Sequence, residues 1–140
     1  MGLDNGIVLK TKMNITESNI PSYVCVEDIS KYLETDKIRG YEICHWRNCY
    51  GIRNEIINVC SNIKSDGKSE LNEYDIELIR DMLIDYLKNP ESWDDKARSI
   101  WELDIMIDQI AQQVVNLSWL MQFMSDKSNQ HWTVEFYDSY

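Results

Sequence analysis

Glycine and proline are scarce in this sequence, with 5 glycines and 2 prolines among 140 residues. A sandwich or barrel with many tight turns needs more of both, because these residues supply the backbone angles of turns. No apolar run approaches the roughly 18 residues of a membrane-spanning helix. The N-terminus also lacks the basic and apolar regions of a signal peptide. We therefore expect a cytoplasmic protein that does not enter a membrane.

Paired cysteine motifs are also missing. Cys25, Cys44, Cys49 and Cys60 contain no C-x-x-C pair, and in a reducing compartment we expect thiols that fill the core rather than disulfides. His45 and Cys49 have the spacing that places two metal ligands side by side on a helix. Because a zinc site needs two further ligands, we predict neither a metal nor a cofactor.

Local signatures of catalysis are absent from the sequence. It contains no G-x-G-x-x-G, P-loop, G-x-S-x-G or H-E-x-x-H motif. Two histidines leave few general bases near neutral pH. We therefore assign no catalytic residue, and the sequence favours a binding protein over an enzyme.

Basic residues are outnumbered, with 14 lysines and arginines against 24 acidic residues and a net charge of −10. Such a charge repels phosphate backbones and argues against direct binding of nucleic acid. The acidic surplus lies mainly after residue 63, where it forms either solvated helix faces or a surface for a basic partner. The length is that of one domain, which we assign to residues 1–140.

Apolar spacing predicts two helices in the middle of the chain. The first covers Tyr41–Ile63, because apolar side chains recur there by threes and fours. These side chains are Cys49, Ile52, Ile56, Val59 and Ile63. The second helix begins after Asn72, a suitable N-cap, and ends at Asn89 and Pro90, because the residue before proline is disfavoured in the helical region.

A third and longer helix is predicted over Trp93–Met124, a segment without glycine or proline. Its apolar positions follow the heptad spacing of a helix that packs against another helix. They are Ile100, Leu103, Ile107, Ile110, Val114, Leu117, Met121 and Met124. This seam packs either within the domain or against a second copy of the chain. Trp101 and Trp119 lie away from the seam, so a second side of the helix must also meet protein or a ligand.

The two ends of the chain have the composition of strands, at Gly6–Lys12 and His131–Tyr137. Between them and the helices, Tyr23–Val26 is interpreted as a short strand and Glu27–Glu34 as helical turns. Two terminal strands that flank helices favour a small antiparallel sheet. The predicted fold is therefore α+β, with three main helices, the last one long, and a sheet formed by the N- and C-terminal strands.

The opening Met1-Gly2-Leu3-Asp4 and the internal Trp46-Arg47 resemble a group of small phage and prophage proteins. Those proteins begin Met-Gly-Leu-Asp, carry a helix that contains Trp-Arg-Lys, and end in an aromatic-rich strand. The resemblance implies a phage gene expressed in the bacterial cytoplasm. The sequence departs from the family pattern after Trp-Arg, where Asn48-Cys49-Tyr50 follows, and Arg53 stands in place of a family histidine.

The candidate site lies around these motifs, where His45, Trp46 and Arg47 are adjacent. An arginine beside a tryptophan suits the binding of a ligand carboxylate or phosphate. Alternatively, Arg47 forms a structural ion pair with a nearby acid, and Asp4 is the partner that we predict. Thirteen of the 15 aromatic residues are Trp or Tyr, a bias that is typical of interfaces and of half-exposed cores.

Two classes of function follow from these patterns. We predict first a non-catalytic interaction protein that binds a host or phage protein through an acidic, aromatic-bearing helical surface that includes Trp101 and Trp119. The alternative is a small-ligand or enzymatic site around His45, Trp46 and Arg47. The second class requires a concave pocket at these residues.

Overall fold

A computed structural model describes residues 4–12, 20–30, 33, 38–90 and 100–139, with side chains described from residue 106 in the last range. Five antiparallel strands form one sheet in the order β2-β3-β1-β5-β4. The strands are β1 (Asp4–Thr11), β2 (Glu27–Asp28), β3 (Arg39–Arg47), β4 (Lys68–Glu70) and β5 (Trp132–Ser139). The helices are α1 (Tyr50–Val59), α2 (Glu73–Lys88) and α3 (Ile100–Ser125).

The two terminal strands pair with each other, which confirms the predicted sheet and the α+β class. β1 runs antiparallel to β5 in an unbroken register from Asp4↔Ser139 to Thr11↔Trp132. Alternate side chains of both strands point toward the helices. Ile7, Leu9 and Phe136 are completely buried on that face, so the sheet forms one wall of the core.

The helix predicted over Tyr41–Ile63 is wrong in its first part. Residues Arg39–Arg47 form β3, which pairs with β1, and α1 covers only Tyr50–Val59. Hydrogen bonds to the central strand override the helical spacing, because strand formation depends on tertiary partners more than on local preference. The Trp46-Arg47 pair therefore lies on a strand, and its two side chains point to opposite faces of the sheet.

Three short segments also differ from the prediction. Residues 23–26 form a turn and irregular backbone rather than a strand. Of the helical turns predicted over Glu27–Glu34, the first two residues form β2 instead, Leu33 N donates to Ser30 O at 3.2 Å as in a helical turn, and residues 31, 32 and 34 lie outside the described residues. Strand β4 forms the edge of the sheet opposite β2, and the sequence pattern did not indicate it. Both β2 and β4 are too short to carry a pattern of their own, so only their pairing with β3 and β5 defines them.

Helix α2 begins and ends where the sequence predicted. Asn72 Oδ1 accepts a hydrogen bond from the Asp75 backbone N at 2.9 Å, and Asp75 Oδ2 accepts one from the Asn72 N at 3.1 Å. This reciprocal pair is a capping box, which satisfies two backbone donors at the start of the helix. The helix ends at Lys88, immediately before Asn89 and Pro90.

Helix α3 confirms a long last helix, while residues 93–99 of the predicted range lie outside the described residues. Within the seam, Ile110 and Leu117 are buried, whereas Ile107, Val114, Met121 and Met124 are half-buried. The side chains of Ile100 and Leu103 lie outside the described residues. The buried face of the helix is wider than the seam, because besides Ile110 and Leu117 it includes Gln113, Asn116, Leu120 and Phe123.

Across the described ranges, no helix combines the length and the apolar character that a bilayer crossing requires.

Candidate functional site

Strand β3 carries the predicted site residues to one edge of the sheet. Trp46 points toward the helices and is 3% exposed, whereas His45 and Arg47 lie on the opposite, exposed face. Ile43 is an extra residue between the pairs that β3 makes with Ile7 and Val8 of β1. Such a bulge shifts the alternation of side chains by one position.

Asp4 joins His45 and Arg47 on the exposed face of the sheet. Arg47 Nη1 lies 3.3 Å from Asp4 Oδ2, so the structure contains the ion pair that the sequence analysis placed between these residues. The other carboxylate oxygen, Asp4 Oδ1, lies 3.1 Å from His45 Nε2. The Arg47 side chain is 63% exposed, so this pair adds little to stability. Its main effect is to orient His45 and Arg47.

The predicted placement of His45 and Cys49 side by side on a helix is wrong. His45 belongs to β3, and Cys49 is the N-cap residue of α1, beyond the end of the strand. The i and i+4 geometry that would bring two metal ligands together is therefore lost. In the part of the chain that the structure describes, no cluster of three or more His, Cys, Asp or Glu side chains is arranged to hold a metal ion.

Tyr137 crosses the exposed face of the sheet from β5 to β3. Its hydroxyl donates a hydrogen bond to Glu42 Oε2 at 2.6 Å. The ring lies over Gly6 of β1, where a Cβ atom would come within 2.5 Å of the ring carbon Cε1. Burial, and then the hydrogen bond to Glu42, raise the pKa of the Tyr137 hydroxyl well above its usual value. Gly6 thus permits a contact that holds the Glu42 carboxylate in place.

Replacing Gly6 by alanine is expected to displace the Tyr137 ring. We expect a loss of about 1–3 kcal/mol in the free energy of unfolding, the usual cost of overpacking. The pKa of Tyr137 should fall toward its ordinary value because the ring leaves its buried position. Thermal unfolding and NMR titration of labelled tyrosine rings measure the two effects. Gly67→Ala is the control, since no atom lies within 4 Å of its added Cβ; equal losses in the two variants would contradict the prediction.

Two amide side chains of α3 bind the outer edge of β3. Asn116 Nδ2 donates to the backbone oxygens of Ile43 at 2.9 Å and of Cys25 at 2.7 Å. Gln113 accepts a hydrogen bond from Trp46 Nε1 at 2.9 Å and donates to the His45 backbone oxygen at 3.3 Å. The sequence analysis assigned no role to either residue. The feature that could have identified them is their spacing, because two amides three positions apart lie on one face of the helix, beside the apolar seam.

These amides close a part of the sheet that would otherwise be an open edge. β2 pairs with β3 only at Glu42 and Tyr41, and among the described residues no strand lies beside the next part of β3 on that side. An open edge invites pairing with another chain. Because Gln113 and Asn116 occupy the carbonyls of Ile43 and His45, this stretch is not available for the addition of a strand.

A cavity of about 640 Å³ lies beside this edge, between β3 and the first turns of α3 whose side chains are described. The three sequence-predicted residues His45, Trp46 and Arg47 all contribute to its wall. Its apolar wall includes Val26, Ile43, Ile52, Met106 and Ile110. Its polar wall includes Glu27, Glu42, Gln109 and Gln112. Sites for small molecules typically have volumes of about 300–1,000 Å³ and a mostly apolar lining with a few polar groups.

Three of the four cysteines, Cys25, Cys44 and Cys49, also line this cavity. Burial, and then the charge of Glu42, raise the pKa of the Cys44 thiol far above its usual value. Cys60 lies elsewhere in the core, where burial and then Asp75 raise the pKa of its thiol to about 12. Cys44 and Cys60 thus remain protonated near neutral pH and act as small apolar groups.

Trp119, one of the two tryptophans proposed as partner-binding residues, is not among the described residues of the cavity wall. Trp119 is half-buried, with its ring centroid 5.0 Å from that of Phe123, and it packs against the core. This confirms that a second side of α3 meets protein at Trp119. The side chain of Trp101 lies outside the described residues.

A second polar cluster surrounds Asp138, at the end of β5. The Asp138 side chain is completely buried and accepts two hydrogen bonds from Arg53, at 3.1 Å from Nε and 2.8 Å from Nη2. It also accepts hydrogen bonds from Asn5 Nδ2 at 2.5 Å and from the Asp66 backbone N at 2.6 Å. Burial raises the pKa of Asp138, but the hydrogen bonds from Arg53, Asp66 and Asn5 outweigh it, so the pKa lies below its usual value.

Comparisons with protein-family models, with curated proteins and with solved structures gave no match to the chain. The structure itself shows an α+β protein with a ligand-sized cavity at the edge of its sheet.

Proposed function

We propose that the protein binds a small organic ligand in the cavity beside β3. The observation that carries this proposal is the volume of about 640 Å³ around His45, Trp46 and Arg47. Apolar side chains on α3 and β3 suit the body of such a ligand, while the charged groups at the rim suit a polar end. Asp4 lies 3.1 Å from His45 Nε2 and 3.3 Å from Arg47 Nη1, so its carboxylate brings these two polar groups of the cavity wall close together.

The exposed surface gives less support to the interaction protein that the sequence predicted. In the described part of the chain, the exposed large apolar side chains are Tyr23, Tyr50, Tyr74 and Val115. They lie in a turn, at the starts of two helices and on α3, and do not belong to one element. Protein interfaces usually show a contiguous apolar centre. Binding of a host or phage protein, and association through the seam of α3, stay predictions.

The proposal also includes the setting of the protein, which is a bacterial cytoplasm and a phage gene. Two observations support it. The chain opens with Met1-Gly2-Leu3-Asp4, and Cys25, Cys44, Cys49 and Cys60 are all free thiols in the structure. Free thiols are expected where the compartment is reducing.

Filling the cavity is the direct test of the proposed function. Gln109 lies exposed on α3 and lines the cavity, so Gln109→Trp adds a large ring there without altering the core. A fragment library is screened against the full chain by NMR, with the Trp46 indole N–H as a local reporter. We expect the fragments that shift this signal to bind at least about tenfold more weakly to the variant, because the added ring occupies part of the cavity. A tenfold change in affinity corresponds to about 1.4 kcal/mol.

Gln122→Trp serves as the matched control, because Gln122 is also exposed on α3 and is not among the residues of the cavity wall. Its fragment affinities should equal those of the original chain. Two results would contradict the proposal. One is that no fragment shifts the Trp46 signal. The other is that the fragments bind Gln109→Trp as tightly as they bind the control.

A further inference from the structure

The described wall of the cavity has a buried part and an outer part. The acidic and basic side chains of the wall are half-buried or exposed and belong to the outer part, and they are Glu27, Glu42, His45 and Arg47. The buried part is uncharged and consists of Ile43, Cys44, Trp46, Ile52, Ile110, Gln113 and Asn116. Since the Cys44 thiol stays protonated, only the amides and the indole N–H bring strong polar groups to the buried part.

Gln113 pairs two polar groups of the buried part with a single amide. Its Oε1 accepts a hydrogen bond from Trp46 Nε1 at 2.9 Å, and its Nε2 donates to the His45 backbone oxygen at 3.3 Å. One group is a donor and the other an acceptor, so the amide satisfies both at once. It therefore occupies the position from which a hydroxyl or amide of a ligand could bind this pair.

Asn116, the other amide of the buried part, is also fully engaged. Its Nδ2 donates to two backbone oxygens, and its Oδ1 accepts from Gln112 Nε2 at 2.9 Å. Among the described residues, the buried side-chain N and O atoms without a hydrogen-bond partner are Asn5 Oδ1 and His131 Nε2. Neither Asn5 nor His131 contributes to the cavity wall. The polar side chains of the buried part are thus paired within the protein.

We propose that the ligand of this cavity carries a hydrocarbon group, without N–H or O–H, that binds against the buried part of the wall. This inference rests on the proposed function, since it names the class of ligand that the cavity takes. The polar group of the ligand stays beside the charged side chains of the outer part. Gln113 is the specificity-determining residue, because its amide removes the hydrogen-bonding groups that would accept a polar end.

The physical basis is the difference between burying a hydrocarbon and burying a hydroxyl. An apolar group gains free energy when it leaves water. A hydroxyl gives up its hydrogen bonds to water and finds the Trp46 N–H and the His45 carbonyl already bonded to Gln113. Apolar sites reject a hydroxyl in place of a methyl group by up to about a hundredfold.

Two probes of one shape test the inference. 4-Methylbenzyl alcohol has a methyl group at one end and a hydroxymethyl group at the other, whereas 4-hydroxybenzyl alcohol presents a hydroxyl at either end. Their affinities for the full chain are measured by NMR titration, followed at the Trp46 indole. We expect the methyl probe to bind at least about tenfold more tightly. We also expect nuclear Overhauser contacts from its ring methyl to the side chains of Ile52 and Ile110.

Gln113→Ala tests the role of the amide. The substitution leaves Trp46 Nε1 and the His45 oxygen able to bind a ligand hydroxyl, so we expect the preference for the methyl probe to fall below about threefold. Gln109→Ala is the matched control, because Gln109 lies on the same helix in the outer part of the wall and is exposed. The control should keep the full preference. Gln113→Asn, whose shorter amide withdraws from both partners, replaces Gln113→Ala if that variant does not fold.

The outcomes separate the class of ligand from the existence of the site. Equal binding of the two probes to the original chain overturns the inference while the cavity proposal stands, and so does a ring methyl that contacts Arg47 instead of Ile110. A preference that is unchanged without the Gln113 amide also overturns it. If neither probe binds, the ligands from the fragment screen decide: a hydrocarbon group against Trp46 supports the inference, and an N–H or O–H there overturns it. If the screen also finds no ligand, the proposed function and this inference fail together.

Discussion

Arg53→Met is expected to lower the free energy of unfolding by about 3–5 kcal/mol at neutral pH, the largest loss that we expect from a single substitution in the polar clusters. The reason is the buried carboxylate of Asp138. Its side chain has no exposure to solvent, and Arg53 provides its only ion pair among the described residues. Methionine fills a similar volume but leaves the charge without a partner. A domain of 140 residues has a total stability of roughly 7–21 kcal/mol, so the variant loses a substantial share.

The position of Asp138 in the fold explains why the effect extends beyond one ion pair. Its carboxylate links β5 to α1 through Arg53, to β1 through Asn5, and to the loop before β4 through the Asp66 backbone. When a buried carboxylate loses one of these donors, the remaining donors must balance the whole charge. We therefore expect loss of cooperativity at the junction of β5 and α1 as well as a lower melting temperature.

Chemical denaturation at neutral pH measures this effect, with Arg80→Met as control. Arg80 also contacts an aspartate, Asp81, but the Asp81 side chain is 56% exposed, so we expect a loss below about 1 kcal/mol. The double variant with Arg53→Met and Asp138→Asn should be more stable than Arg53→Met alone, because it no longer buries a charge. A double variant less stable than Arg53→Met would contradict this account.

The dependence on pH has a definite sign. The pKa of Asp138 in the folded protein lies below its usual value, so its interactions stabilise the fold above the unfolded pKa of about 3.9. This stability is lost as the pH falls through the lowered folded pKa. Without Arg53, burial favours the protonated acid instead. The difference in stability between the original chain and Arg53→Met should therefore be greatest near neutral pH and should shrink toward pH 3.

The parts of the fold that the sequence predicted well are those with strong local signals. Helix α2 has an N-cap at Asn72, a regular apolar stripe and a terminating Pro90, and these features suffice without tertiary information. The terminal strands have strand composition, and their antiparallel pairing follows from a chain whose ends meet. The α+β class was therefore accessible from residues alone.

The error at Tyr41–Ile63 has a physical cause. Apolar side chains at Ile52 and Ile56 belong to a real helix, and the same spacing continues backward by chance to Cys49 and Trp46. Whether Arg39–Arg47 is a strand depends on β1, whose paired residues lie 28 to 43 positions earlier in the chain. A local pattern does not contain this pairing.

The candidate site was predictable only in pieces. His45, Trp46 and Arg47 were identified because three side chains able to bind a ligand are adjacent in the sequence. The ion pair with Asp4 was predicted from the two most distinctive motifs, the opening Met-Gly-Leu-Asp and the internal Trp-Arg. The cavity itself combines β2, β3, α1 and α3, so its existence depends on the assembled fold. The role of Asn116 could not be predicted, because a polar residue beside an apolar seam is equally compatible with a side chain exposed to solvent.

Asn116→Leu is expected to cost about 2–4 kcal/mol in the free energy of unfolding. The Asn116 amide is 2% exposed, and its nitrogen donates to two backbone oxygens, those of Cys25 and Ile43. Asparagine has two N–H donors on one nitrogen, which matches these two acceptors. Leucine has a similar volume but leaves both carbonyls unpaired, and each buried unsatisfied group costs about 1–3 kcal/mol.

The local consequence of this substitution is more specific than the loss of stability. Because Asn116 ties both the segment before β2 and the edge of β3 to α3, amide hydrogen exchange should accelerate at residues 24–28 and 43–45 in Asn116→Leu. Gln112→Leu is the control on the same helix, since its amide donates to the Tyr23 backbone oxygen only at 3.4 Å and to the Asn116 side chain. We expect it to lose less than about 1 kcal/mol and to leave exchange at residues 43–45 unchanged. If both variants lose equal stability and exchange alike, then the amide of Asn116 does not hold the edge of β3, and the cavity wall must depend on the packing of Ile43 and Ile110 alone.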